Sequence, residues 1–292
     1  MRTLIINGGN LVPQGTDNSR YVYKFPTGGA NFQDDEIAVS NISIYYSWRN
    51  ISAALGNNTF SYVWYSGAGP LATTVNITIP DGSYDISQLN AYLQSIMIAN
   101  SHYLITASGS YVYYLELVEN PTAYAIQFNS YALPTAAQAA ALGYTAPVGW
   151  PGYVTVNITP QIIIPSTDIR NILGFNAGTY PTPTQATNYS KISDFTPQVS
   201  PVQSVLIACS LVNNPYAYPS NIIYSFAPIG TSYGSLIQPQ MSNFIWNEIT
   251  SGQKQDFYIQ FLDQNYKSLQ IVDTNLVVVL SIRHKNKQGE AE

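Results

Sequence analysis

Between residues 36 and 64 the chain alternates apolar and polar side chains with a period of two, first as EIAVSNISIYYSW and then, after a polar Asn-rich turn, as NNTFSYVW. A period of two marks a pleated strand, whose successive side chains point to opposite faces. In the first segment Ile37 and Val39 alternate with Ala38 and Ser40, and the apolar phase then slips by one residue to Ile42, Ile44 and Tyr46. Such a slip would turn the buried set toward water unless the backbone absorbs it, so the pattern predicts a β-bulge near Asn41. In the second segment Phe60, Tyr62 and Trp64 share one face, and Ser61, Val63 and Tyr65 share the other. Aromatic residues on both faces indicate that neither is open to solvent. The two segments read as the first pair of long strands of an all-β sandwich.

Further along, Val75, Ile77 and Ile79 alternate with Thr74, Asn76 and Thr78 before Pro80, Asp81 and Gly82 turn the chain. The period then becomes helical: Asp85 stands as N-cap with Gln88 three residues on, and Ile86, Leu89, Leu93, Ile96 and Met97 fall on one face. Strand patterns return at residues 111–118 and 123–128, separated by Glu119, Asn120 and Pro121. From 134 to 201 proline and glycine accumulate around a short Ala-rich helix ending before Gly143, a strand at 153–159, and a second short helix. That helix starts at Ser166 or Thr167 and ends at Leu173, with Gly174 placed to close it in the left-handed conformation. Because the segment keeps Trp150, Tyr153, Ile162 to Ile164 and Phe175, it reads as an elaborated connection or small insertion.

The last third returns to strands at 202–212, 222–226, 257–262 and 276–283. About eight or nine long strands, with helices confined to connections and no repeat of fixed period, predict a single jelly-roll antiparallel β-sandwich. The expected organisation is an extended N-terminal arm at 1–35, with a short strand candidate at Thr3 to Ile6 and tie points such as Tyr21, Tyr23 and Phe25, a jelly-roll domain at 36–283 with the insertion at about 134–201, and a charged C-terminal tail at 284–292.

Composition sharpens this picture. Hydrophobic residues make up 46% of the chain and charged residues only 9%, against about 25% charged in an average globular protein. Solubility then falls to Asn, Ser, Thr, Gln and the hydroxyls of 24 tyrosines, the make-up of a surface that meets other proteins. A chain of 292 residues buries about three quarters of its unfolded surface, so it needs no disulfide or metal to fold. Its one cysteine, Cys209, lies in the apolar run SVLIACSLV and reads as a small buried hydrophobe. The net charge is -5 and no Lys or Arg occurs between Arg49 and Arg170, so the body of the fold offers no footprint for nucleic acid. The exception is the basic terminal stretch IRHKNKQGEAE, which is either a solvated tail or an arm toward acidic neighbours or packaged nucleic acid.

No catalytic, cofactor-binding or metal-binding residue is assigned. His102 and His284 are the two histidines; His102 reads as a surface or helix-end residue, and neither lies in a triad or metal motif. Nothing in the spacing of Asp34, Asp35, Glu36, Glu116 and Glu119 brings two of them together as a glycosidase pair, and Gly8-Gly9 and Gly28-Gly29 read as turns. The apolar run in MRTLIINGGN is too short for a signal-peptide core. No stretch approaches the roughly 18 apolar residues of a membrane span. The sequons at Asn41, Asn50, Asn57, Asn76, Asn157 and Asn188 read as by-products of an Asn- and Thr-rich composition.

The patches SIYYSWRNI, NNTFSYVW, ITIPDGSYDISQLNAYLQ, NILGF, SVLIACSLVNN, IIYSFAP and FLDQNYKSL before VVVLSIR resemble the penton, or minor capsid, proteins of virophages and Polinton-like viruses. The resemblance implies a non-enzymatic virion protein, assembled inside the host cell. It implies a single jelly roll forming homopentamers at the fivefold vertices of an icosahedral shell, among trimers of a double jelly-roll major capsid protein. Residues 134–201 are the least family-like part, which leaves a host surface receptor as a further partner. A vertex ring must hold its neighbours, and the expected assembly contacts are Arg2, Arg20 and Lys24 in the arm with Arg283, Lys285 and Lys287 in the tail. The rival reading is a soluble jelly-roll binding module, such as a glycan-binding or fibre-head attachment protein. It needs an exposed aromatic platform, for which Trp150, Trp246 and several tyrosines are candidates.

Overall fold

The computed structural model describes residues 1–12, 17–69, 71–200, 202–228, 230–241 and 243–285. Its contacts separate the chain into two compact units, Met1–Arg49 with Val202–Glu292, and Asn50–Pro201.

Eight strands carry the two main sheets of the first unit: β1 (Arg2–Ile6), β2 (Arg20–Lys24), β3 (Asp35–Tyr45), β4 (Val205–Cys209), β5 (Ile222–Phe226), β6 (Leu236–Ile237), β7 (Asp256–Leu262) and β8 (Val277–His284), while the short strand Asn247–Glu248 also pairs with β3 and Ala30–Phe32 pairs with Gly252–Lys254. They form two antiparallel sheets with the orders β1-β8-β3-β6 and β5-β4-β7-β2. Every connection crosses from one sheet to the other except the β4–β5 hairpin, and this order is that of a jelly roll. Ile37, Ile42 and Ile44 of β3 and Leu280 of β8 share one buried core with Ile207 of β4 and Ile259 and Phe261 of β7, so the sheets face each other. The slip in β3 is a bulge: β8 places Val279 opposite Asn41 and Leu280 opposite Val39, which leaves Ser40 as the extra residue. That one residue lets Ile37, Val39, Ile42 and Ile44 all point into the core.

Within residues 1–35, expected as an arm, two five-residue segments belong to the sandwich. β1 pairs along its length with β8, β2 pairs with β7, and Tyr21 is fully buried edge-on to Phe261. The physical reason is that each sheet needs an outer strand, and five residues with one or two inward side chains suffice to cover an edge. The Cys209 thiol is buried and its pKa is pushed up to about 12 by desolvation, so it is an inert core group.

The second unit is inserted between β3 and β4. It is larger than the insertion expected at 134–201, because residues 50–133 close their own core together with that segment. A four-stranded sheet has the order Gly178–Tyr180, Gln161–Ile164, Thr59–Ser66, Leu71–Thr78, and a three-stranded sheet the order Tyr189–Ile192, Ala125–Ser130, Leu115–Asn120. Helix α1 (Ile86–Ala99) buries Ile86, Leu89, Leu93 and Met97 and is capped as its sequence predicts. Asp85 Oδ1 accepts from Gln88 N at 2.7 Å, and Gln88 Oε1 accepts from Asp85 N at 2.9 Å. Helices α2 (Ala136–Ala141) and α3 (Ile169–Leu173) follow, α3 ending at Gly174 with φ 76°. A Cβ at Gly174 would stand 2.5 Å from the Phe195 carbonyl oxygen, so the position requires glycine on two counts. The strand expected at 153–159 is only a pair of isolated bridges, at Val154 and Ile158. Val156 between them points into solvent, and Pro151 and Pro160 remove the N–H groups that would extend a ladder.

The insertion enters and leaves at one place. Asn50 Nδ2 donates to the carbonyls of Tyr84 and Val199, each at 2.7 Å, while Asn50 Oδ1 accepts from Tyr84 N at 2.9 Å. One side chain thus clasps the first residue of the unit to one near its last.

Candidate functional site

A sandwich of this order has four outer strands, and they fall on two unlike flanks. On one, β5 and β6 lie together, because Asn247 of the short strand beside β3 donates to the carbonyl of Ile223 in β5 at 3.3 Å. This flank is built from a stretch without a single charged residue between Asp194 and Glu248. Tyr233, Leu236, Phe244 and Ile245 stand exposed on it, with Tyr45 of β3 beside Leu236. The opposite flank joins β1 to β2 through the bridge of Leu11 to Tyr21 and the bond from Asn10 Nδ2 to the Val22 carbonyl at 3.3 Å. It exposes Met1, Ile5 and Val12 and carries Arg2, Arg20 and Lys24.

The six expected contact residues are thereby sorted. Arg2 lies opposite Ile282 at a sheet edge, Arg20 lays its guanidinium 4.2 Å from the Tyr258 ring, and Lys24 pairs in register with Asp256. Arg283 donates from Nε to Glu36 Oε2 at 2.8 Å and covers the Trp246 ring at 4.1 Å. Lys285 Nζ is 3.6 Å from Glu248 Oε2, and Lys287 falls outside the described residues. The described start of the tail is thus continuous with β8, and its cations meet carboxylates of the same chain. Of those carboxylates, Glu36 and Glu248 stand opposite each other across their strand pair and each meets a cation, and Asp35 Oδ1 lies 3.6 Å from His284 Nδ1. Arg283→Ala is expected to cost under about 1 kcal/mol in a urea titration, since a half-exposed ion pair and a surface cation–π contact contribute little.

His102 is a different matter. Read from sequence as a surface residue, it is buried at 5% exposure, stacked on Trp64 with ring centroids 4.5 Å apart and an interplanar angle of 5°. Its Nδ1 lies 2.7 Å from the Tyr62 hydroxyl. The fall of the chain after α1, with His102 N donating to the Met97 carbonyl, swings the ring inward, and no local pattern in the sequence announces this. Burial lowers its pKa to about 4, so at neutral pH it is an uncharged aromatic partner. Tyr62 is raised by the same desolvation and keeps its proton. Trp64 also meets Trp150 edge-on at 5.6 Å, so the half-buried Trp150 packs against this core, while Trp246 is covered by Arg283. Among the described residues no group of three His, Cys, Asp or Glu is placed to hold a metal ion, and no helix is long and apolar enough to cross a membrane.

No family model matches the chain, and no curated protein matches it. Among solved structures it resembles the mavirus penton protein with a TM-score of 0.43 at 9% identity, covering 96% of each chain. It resembles a chain of the Sputnik virophage, solved by cryo-EM, with a TM-score of 0.37 at 11% identity, covering 98% of this chain and 99% of that one. The jelly-roll assignment stands on the strand order itself.

Proposed function

We propose that this protein is a structural, non-enzymatic capsid component whose jelly rolls pack flank against flank into a ring at the fivefold vertex of an icosahedral virion. The observation that carries the reading is the pairing of a jelly-roll strand order with one flank whose stretch between Asp194 and Glu248 has no charge and exposes Tyr, Leu, Phe and Ile side chains, its charges being confined to the Glu36, Arg283, Glu248 and Lys285 cluster at one end. A jelly roll alone does not select a function, since capsid and lectin domains share it. The flank adds the direction. Its apolar groups need cover, and no charge in that stretch has to be stripped of water to provide it. Because the β5/β6 flank differs from the β1/β2 flank, joining one to the other is a heterologous contact, which closes into a ring when the rotation per subunit divides a full turn. The number five, and the surrounding major capsid protein trimers, come from the sequence resemblance, whose patches SVLIACSLV and VVVLSIR lie largely on β4 and β8 and whose patch SIYYSWRNI runs from the end of β3 into the insertion.

Native mass spectrometry and electron microscopy of the full chain, alone and with its shell protein, test this. Fivefold particles are expected, and Leu236→Glu is expected to raise their dissociation constant at least tenfold by placing a charge in the contact. Raising salt from about 0.1 M to 1 M, which shortens the screening length from about 10 Å to 3 Å, is expected to change the association little. A strict monomer, dimer or trimer under both conditions removes the proposal.

A further inference from the structure

The second unit carries a recess of about 310 Å³ walled by Tyr113, Tyr114, Tyr131 and Tyr144, with Val112 and Leu142 at its sides. Its walls come from three places. Tyr113 and Tyr114 precede the strand Leu115–Asn120, Tyr131 follows the strand Ala125–Ser130, and Tyr144 follows α2. Backbone bonds anchor them: Tyr131 N donates to the Tyr114 carbonyl, and Tyr144 N donates to the Ala139 carbonyl of α2, each at 2.9 Å. Behind them Tyr114 stands edge-on to the buried Trp64, with centroids 6.0 Å apart. The Tyr131 hydroxyl donates to Glu116 Oε2 at 2.9 Å, and Asn129 Nδ2 donates to the same oxygen at 3.3 Å. The recess is therefore held open by backbone bonds and packed rings before any ligand arrives.

We propose that this recess binds one uncharged pyranose ring, a function separate from ring assembly. Ligand pockets run from about 300 to 1,000 Å³, and the low end of that range suits a single sugar ring. The four lining tyrosines supply aromatic surface suited to the apolar C–H face of a pyranose and phenol hydroxyls of the kind that bond its hydroxyl groups. Charge decides among the alternatives. All the lining residues fall in the stretch between Arg49 and Arg170 that has no Lys or Arg, so a phosphate, sulfate or sialic carboxylate finds no cation of that stretch. A quaternary ammonium is served by an aromatic cage whose negative charge is available. Here the carboxylate oxygen nearest Tyr131 already accepts two hydrogen bonds, and Val112 and Leu142 take positions a cage gives to rings.

The test uses the full chain, with saturation-transfer NMR and calorimetry against the methyl glycosides of glucose, galactose, mannose and N-acetylglucosamine, beside sialyllactose and tetramethylammonium chloride. At least one neutral glycoside is expected to bind with a Kd of about 1 mM, the affinity available to a ligand of this size. Tyr144→Ala and the rim substitution Leu142→Asp are each expected to weaken it at least tenfold with the circular dichroism spectrum unchanged. Leu142 is exposed, so its variant reports on the recess even where the tyrosine variant fails to fold. The proposal is overturned by saturation with none of the four neutral glycosides, by binding of sialyllactose or tetramethylammonium alone, or by glycoside binding indifferent to Leu142→Asp.

Discussion

Asn50→Ala is expected to destabilise the inserted unit by about 3 kcal/mol, because three part-buried hydrogen bonds end with the side chain. Asn50 is 6% exposed, and its amide satisfies two carbonyls and one N–H group that no longer have a partner in the variant. Losing each bond costs about 1 kcal/mol, and a backbone group left dry costs about 1–3 kcal/mol. Tyr84 and Val199 are only half-buried, so water restores part of the loss and the total stays near the lower sum. Asn50→Asp is expected to be no better: it keeps an acceptor for Tyr84 N but sets a carboxylate oxygen against two carbonyls. Urea unfolding followed by tryptophan fluorescence reads both variants, and a loss below 1 kcal/mol in Asn50→Ala would show that the clasp does not hold the ends of the insertion. The same geometry bears on the sequons. Asn50 and Asn57 are buried with their amides engaged, so neither can carry a sugar in the folded protein.

What the sequence disclosed about this fold is what depends on neighbours along the chain. The bulge in β3, the capping box at Asp85 and Gln88, the glycine stop at Gly174 and the strand at 222–226 each arise from a local period or a single backbone conformation. Boundaries that depend on which distant segments share a core were hidden. The strand candidate at Thr3 to Ile6 is β1, but its place, and that of β2, as five-residue edges of the sandwich comes from β8 and β7 beside them. The start of the insertion at Asn50 falls inside the patch SIYYSWRNI, with no change of composition to mark it. Sites were hidden for the same reason. The six basic residues stood out because they are rare, yet rarity gives no position, and the described ones mostly lie against partners in their own sheet. The apolar flank was legible only as an absence, the long stretch from Asp194 to Glu248 with no charge. The tyrosine recess unites residues 113, 131 and 144, which no spacing rule connects.

Acid is expected to weaken the second unit through His102 as the pH falls below about 6.5. The folded pKa of about 4 lies below the value of about 6.5 for an unfolded histidine, so between these limits the unfolded chain binds the proton and the folded chain does not. Stability is then complete above about pH 6.5 and falls as the pH drops toward 4, at up to about 1.4 kcal/mol per pH unit. Small shifts that let water reach the ring reduce the full span, and a loss of about 2–3 kcal/mol between pH 7 and pH 4 is expected. Asp194 acts lower on the scale. Desolvation works against its ionised form but is outweighed by hydrogen bonds from Lys191 and from Asn176 N, which hold its pKa below the usual carboxylate value, so its contribution is lost only under more acid conditions. His102→Phe keeps a flat ring against Trp64 and removes the titrating group. Its stability should be lower at neutral pH, because the Tyr62 hydroxyl loses its partner, and should vary much less with pH between 6.5 and 4. Urea midpoints of both proteins across that range provide the measurement. A wild-type curve that stays flat from pH 7 to pH 4.5, or a variant that keeps the full slope, would show that His102 is not the group whose protonation opens the core.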